Sequence, residues 1–182
     1  MAEDEKPKRR RKISRGRYAV GFLVLGVVTC VLAGFALGHI GNYEVISNSM
    51  APTLRKGDRV MVDQRPHYSP AVGDVIVLSD PFNPEGLMTK RVAGVGGDKV
   101  DLIDGYLYVE GRRWAPPGEA ARPVPENATL RPLELVGGQI LVLGDNREQS
   151  EDSLFFGPTP AESVKGRLWF IYWPPGRMGR VR

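Results

Sequence analysis

Cysteine and histidine are almost missing from this chain, whose 182 residues hold one Cys and two His. A single Cys30 excludes an intramolecular disulfide and any Cys-based metal site, and inside an apolar run it reads as a small packing residue. His39 and His67 are too few and too isolated for a zinc site. A Ser-His-Asp triad would have to recruit His67 from Arg65-Pro66-His67-Tyr68, where no glycine elbow surrounds a serine. Excess positive charge is also missing from most of the chain. The formal net charge is +4, but residues 1 to 17 hold eight Lys/Arg against three Asp/Glu, which leaves the remainder at −1. No basic groove for nucleic acid is therefore implied. No internal repeat is present.

Residues 18 to 40 contain no Asp, Glu, Lys or Arg. As a helix rising about 1.5 Å per residue they span roughly 34 Å, enough for the hydrocarbon core of a bilayer. A removable signal peptide is the competing reading, with small residues at Gly34-Phe35-Ala36, but the apolar run exceeds the usual h-region of about 7 to 15 residues. A retained transmembrane anchor is expected over 18 to 40. The unbroken positive run from 8 to 12 reads as a solvated tail that sets topology. Residues 1 to 17 then form a cytoplasmic tail, and residues 41 to 182 lie across the cell membrane.

Past residue 40 the helix signals fade, and runs rich in Val, Ile and Leu, punctuated by glycine, predict strands. These lie at 59 to 62, 74 to 78, 91 to 95, 99 to 103, 106 to 109, 140 to 143 and 167 to 173. Asp104-Gly105 has the spacing of a tight type I′ hairpin. Residues 115 to 138, loaded with Pro, Gly and Ala, predict an irregular excursion with little core. The expected fold is mainly β, an antiparallel and partly barrel-like domain on a single N-terminal helix.

Four short blocks carry chemistry. In Ser47-Asn48-Ser49-Met50-Ala51-Pro52-Thr53-Leu54, Ser49 lies nine residues past the apolar run, and Thr89-Lys90-Arg91-Val92, Gly144-Asp145-Asn146-Arg147 and Ser150-Glu151-Asp152-Ser153 follow. Each block alone reads as a turn or a surface charge. A lysine with the usual pKa of about 10.4 is neutral in only about one molecule in 2,500 at pH 7, so Lys90 works as a base only where burial disfavours its charged form. Met50, Leu141 and Phe155 are the apolar candidates for that burial.

The joint order of the blocks resembles type I signal peptidases, membrane-bound Ser/Lys proteases that remove signal peptides. The resemblance covers most of residues 43 to 173. It implies an antiparallel β-sheet fold, Ser49 as acylated nucleophile and Lys90 as general base. It further implies Ser47 and the Ser49 N–H as oxyanion donors, with Ser150 orienting the lysine amine. Arg91 and Asp145 match a charged pair supporting the site, and Met50 a wall of the substrate pocket. No metal or other cofactor is implied. The implied partners are preprotein signal peptides with small residues at −1 and −3, the lipid bilayer, and the neighbouring secretion translocon. Two departures stand out. Leu154 replaces an arginine that would pair with Asp152, which must then find another partner or stay wet. Gly96 replaces a frequent proline and should loosen its turn. The alternatives are a specialised relative maturing conjugation or pilus subunits, a self-cleaving repressor, disfavoured for want of a DNA-binding segment, and a silent membrane-anchored scaffold.

Overall fold

A computed structural model describes residues 15–83 and 85–181. The expected basic tail lies outside the described residues as far as residue 14. The chain divides into two units, Met1–Leu37 and Gly38–Arg182.

The first unit carries helix α1 (Arg15–Ala36), on which Val20, Phe22, Leu23, Val24, Leu25 and Val27 are all exposed. Consecutive exposed apolar positions make it hydrophobic on every face, unlike a helix that packs one stripe on a core. Among the described residues no helix is long and apolar enough to cross a membrane. The expected helical run to Ile40 also ends early, at Ala36. The cause is local: Gly38 adopts a left-handed φ of +68°, which stops a helix at low steric cost, and Ile40 already pairs with Asp63 in a strand.

The second unit is mainly β and antiparallel throughout its described pairings. Its strands are β1 (Ile40–Glu44), β2 (Arg59–Asp63), β3 (Val75–Ser79), β4 (Leu87–Val95), β5 (Lys99–Ile103), β6 (Tyr106–Val109), β7 (Arg112–Arg113), β8 (Leu133–Glu134), β9 (Gln139–Leu143), β10 (Thr159–Pro160), β11 (Val164–Trp173) and β12 (Gly179–Arg180). One short helix, α2 (Ser153–Phe156), separates β9 from β10. Among the described residues a larger sheet runs β1-β2-β11-β3-β4-β9-β10, with β12 on β11, and a smaller one runs β7-β6-β5-β8. Strand β3 is central and buried at Val75, Ile76, Val77 and Leu78 in succession, because both its faces are covered. The longer β11 is buried chiefly at Gly166, Leu168 and Ile171, while Lys165, Arg167, Trp169 and Trp173 are exposed, the alternation of a half-exposed strand.

The Asp104-Gly105 hairpin forms as expected: Ile103 faces Tyr106, and the two turn residues have φ of 51° and 74°. A second turn of the same kind, Glu110-Gly111, joins β6 to β7 with φ of 51° and 68°. Glutamate is a poor signal for that geometry, which is why the sequence does not announce it. The excursion between 115 and 138 holds more core than expected. Leu130 and Leu135 are buried with Val100, Leu107, Leu141 and Leu154, although the Pro- and Gly-rich segment around them is too short of apolar residues to mark a core element. Nor is the turn at Gly96 loose, since a Cβ there would meet Val136 O at 2.8 Å and Gly137 Cα at 2.9 Å.

Candidate active site

Ser49 stands in the loop between β1 and β2, and that loop is folded by its own polar residues. The Ala51 N–H donates to the Asn48 carbonyl at 3.0 Å, Leu54 N–H to the Met50 carbonyl at 2.8 Å, and Lys56 N–H to Asn48 Oδ1 at 3.1 Å. Serine and asparagine favour such turns because their side chains reach nearby backbone. Two further segments hold the loop in place. Asn146 donates its N–H to the Ser49 carbonyl at 3.0 Å and its Nδ2 to the Asn48 carbonyl at 3.1 Å, while Thr53 Oγ1 donates to Asp145 Oδ2 at 2.6 Å. From the C-terminal side, Arg177 donates to both oxygens of the buried Asp58 and to the Thr53 carbonyl at 3.0 Å.

Lys90 and Arg91 are neighbours on β4, so the pleat sends their side chains to opposite faces. Arg91 is 1% exposed and forks onto Asp145, Nε to Oδ1 at 2.8 Å and Nη2 to Oδ2 at 2.7 Å, with Nη1 on the Gly73 carbonyl at 2.8 Å. A two-pronged guanidinium–carboxylate pair fixes direction as well as distance. It ties β4 to the loop after β9, which in turn holds the Ser49 loop.

Lys90 is 4% exposed and donates from Nζ to Ser150 Oγ at 2.9 Å. Ser150 Oγ donates onward to Asp152 Oδ2 at 2.8 Å, and the carboxylate also receives the Gly144 N–H at 2.9 Å and the Leu154 N–H at 3.1 Å. Burial lowers the Lys90 pKa from its ordinary value, outweighing the pull of Asp152, Glu151 and Asp80 toward the charged form. Gly144 is required by close approach, because a Cβ there would overlap Ser150 Oγ and lie 2.6 Å from the Ser49 carbonyl oxygen.

Ser47, Ser49, Met50, Lys90, Ser150 and Phe155 line one open cleft of about 1700 Å³. Ser47 Oγ and Ser49 Oγ are 3.2 Å apart. The structure thus gathers Ser47, Ser49, Met50, Lys90 and Ser150 around one space, and sets Arg91 and Asp145 beside it as a pair. Of the apolar candidates for burying Lys90, Met50 and Phe155 reach the cleft. Leu141 does not: it faces Gly94, four residues further along β4. His67 is exposed and lies outside the cleft. Among the described residues no cluster of His, Cys, Asp or Glu has the arrangement to hold a metal ion. The cleft thus brings together a hydroxyl pair and a buried amine whose charged form is disfavoured, the group types that nucleophilic acyl transfer requires.

Sequence reasoning left Asp152 without a partner and Arg147 and Thr53 without a task. Asp152 is 1% exposed and fully engaged, with Arg147 Nη1 at 3.6 Å, so a cation from five residues upstream stands where Leu154 leaves none. Arg177 lies beyond the blocks that carried the resemblance. Only the folded chain brings it to Asp58.

The sequence pattern of the family described as signal peptidase, peptidase S26, matches residues 17–173. A probable signal peptidase I-1 of Synechocystis is 32% identical over 171 residues, 89% of this chain and 85% of that protein. Signal peptidase IB of Staphylococcus aureus is 32% identical over 174 residues, 86% of each chain. The thylakoidal processing peptidase 1 of Arabidopsis thaliana is 34% identical over 147 residues, 74% of this chain and 42% of that protein. This chain spans about two fifths of the length of the plant relatives it matches.

Proposed function

This chain belongs to the signal peptidase family, peptidase S26, and from that premise we propose that it is a type I signal peptidase working through a Ser49/Lys90 dyad. The observation that carries the reading is the buried Lys90 amine, held at 2.9 Å by Ser150 in the cleft that also presents Ser49. Burial lowers the pKa of this amine and so raises its neutral fraction above that of a surface lysine at the same pH.

Neutral Lys90 Nζ takes the Ser49 hydroxyl proton as Oγ bonds to the scissile carbonyl carbon, and the carbonyl oxygen becomes an oxyanion. Ser47 Oγ and the Ser49 N–H donate to that oxygen. Collapse breaks the C–N bond, and Lys90 returns the proton to the leaving amine. Water then attacks the Ser49 ester by the same sequence, releasing the signal peptide's new carboxyl end. Ser150 keeps the amine aimed throughout. Met50 walls a shallow pocket, and an extended substrate sends alternate side chains to one face, which suits small residues at −1 and −3. Arg91 and Asp145 support the site without touching substrate.

The same reading makes residues 18 to 40 an anchor, with the basic tail cytoplasmic and the peptidase domain outside a bacterial cell membrane, near the secretion translocon. An uncharged run with basic residues on one side only supports it. Protease added outside intact spheroplasts should digest the chain after Ile40 and spare the tail. The activity itself is tested with purified preprotein and mass spectrometry of the new amino terminus, using Ala and Phe at −1. Cleavage after Ala alone is expected, together with labelling of Ser49 by an acylating serine inhibitor that Ser49→Ala abolishes. Equal rates for Ala and Phe, or labelling elsewhere, would remove the assignment.

A further inference from the structure

Arg147 is nine-tenths buried, an unusual place for a guanidinium. Its Nη1 makes no hydrogen bond and lies 3.6 Å from Asp152 Oδ2, and its carbon Cζ sits 4.5 Å over the centre of the Trp114 ring. A cation stacked on an indole face keeps its charge while shedding water, so Trp114, next to β7 of the smaller sheet, clamps it in position. Among the described residues, the one carboxylate within ion-pair distance is Asp152, which accepts from Ser150, which in turn accepts from Lys90. The chain of contact is therefore Trp114, Arg147, Asp152, Ser150, Lys90.

We propose that Arg147, clamped by Trp114, is a positioning residue that fixes Asp152 and through Ser150 sets the aim and the protonation of the Lys90 amine. The inference rests on the dyad reading above and adds to it the cation that replaces the one missing at Leu154. Geometry and charge act in the same direction. Asp152 is neutralised in part by Arg147, so it pulls less strongly on a proton at Lys90. The groups that face Lys90 are Asp152, Glu151 and Asp80, which raise its proton affinity, and Arg147, which lowers it. Those that face Arg147 are Asp152 and Asp145, with Arg122 as the opposing cation. Removing the Arg147 charge leaves three carboxylates around Lys90 without the cation that offsets them, and the amine holds its proton to higher pH.

The test is the pH profile of kcat/KM for the full-length protein, wild type against Arg147→Met, Arg147→Lys and Trp114→Leu, on a peptide cleaved after Ala. Arg147→Met should move the acid limb upward by about half a unit to one unit, as loss of one nearby charge does. It should lower kcat roughly tenfold or more, as misplacing a reacting group does, with KM nearly unchanged. Arg147→Lys should return the limb to the wild-type position, because it restores charge beside Asp152. Trp114→Leu should move the limb in the same direction by less. A limb at the wild-type pH in folded Arg147→Met overturns the proposal, as does a limb in Arg147→Lys displaced as far as in the Met variant. Should the Met variant fail to fold, Arg147→Gln carries the same test with the same overturning result. Failure of the dyad itself is separate: it appears as full activity in Lys90→Arg, whatever the Arg147 variants do.

Discussion

The larger and smaller sheets of the second unit treat polar residues in opposite ways. Around β4, β9 and their loops, Lys90, Arg91, Asp145, Arg147, Ser150, Asp152 and Ser153 are all buried. Across β5 to β8 the buried residues are apolar, and the charges sit outside, with Arg113 stacked on the exposed edge 4.1 Å above the Tyr106 ring. Buried charges cost folding free energy unless fully partnered, so a domain that concentrates them in one place holds them there for some other reason than stability. The smaller sheet shows what the same chain builds when only stability is at stake: alternating strands, tight hairpins and an apolar underside.

That contrast is broken most severely at Lys90. Replacement by arginine keeps length and charge but forbids deprotonation, and kcat/KM should fall by about 10³-fold or more in a peptide-cleavage assay. Substantial activity in correctly folded Lys90→Arg would make Lys90 an ordinary buried cation and level the two regions.

Next in size is Asp145→Asn, which leaves the Arg91 guanidinium buried opposite a neutral amide. Breaking a buried pair at one partner costs about 3 to 5 kcal/mol, read as a lowered urea midpoint. A change below about 1 kcal/mol would mean the pair is surplus to the fold, like an exposed one.

A smaller and opposite effect is expected from Lys90→Met, which should stabilise the fold while abolishing cleavage. The sign follows from the lowered pKa. Below the folded pKa the wild type bears the full cost of a buried ammonium. Between the folded pKa and the unfolded value of about 10.4 the unfolded chain binds the extra proton, so wild-type stability rises with pH. The advantage of the Met variant in thermal unfolding should therefore be largest on the acid side and shrink through that interval. A gap independent of pH would assign the gain to packing alone.

Least of all should change in the smaller sheet. Arg113→Ala removes a stack that is solvent-exposed, worth about 0.5 to 1 kcal/mol at most, and should leave kcat and KM as they were. A clear loss of activity there would tie the smaller sheet to the chemistry through more than Trp114.

Much of this arrangement is legible in the chain. Alternation and Val-rich runs locate β2 to β6, β9 and β11 to within a few residues, because each strand's inward face must be apolar whatever surrounds it. The type I′ turn at Asp104-Gly105 is equally local. Other features are invisible for a stated cause. The early end of α1 depends on Gly38 taking a left-handed turn into a strand, where an apolar sequence runs on regardless. Leu130 and Leu135 gain their burial from residues up to 42 positions away. Asp58 and Arg177 stand 119 residues apart, and nothing near either one predicts the other.

The sequence by itself determined the β class, the hairpin, the charge asymmetry of the tail and which serines and lysine to watch, since these follow from local periodicity, turn chemistry and residue type. Only the tertiary structure decided that Lys90 is dry and bonded to Ser150, that Asp152 is satisfied by backbone and Arg147 where Leu154 offers no charge, and that Gly144 must lack a side chain. Those outcomes are set by desolvation and by close approach of distant segments, and neither quantity exists until the chain has folded.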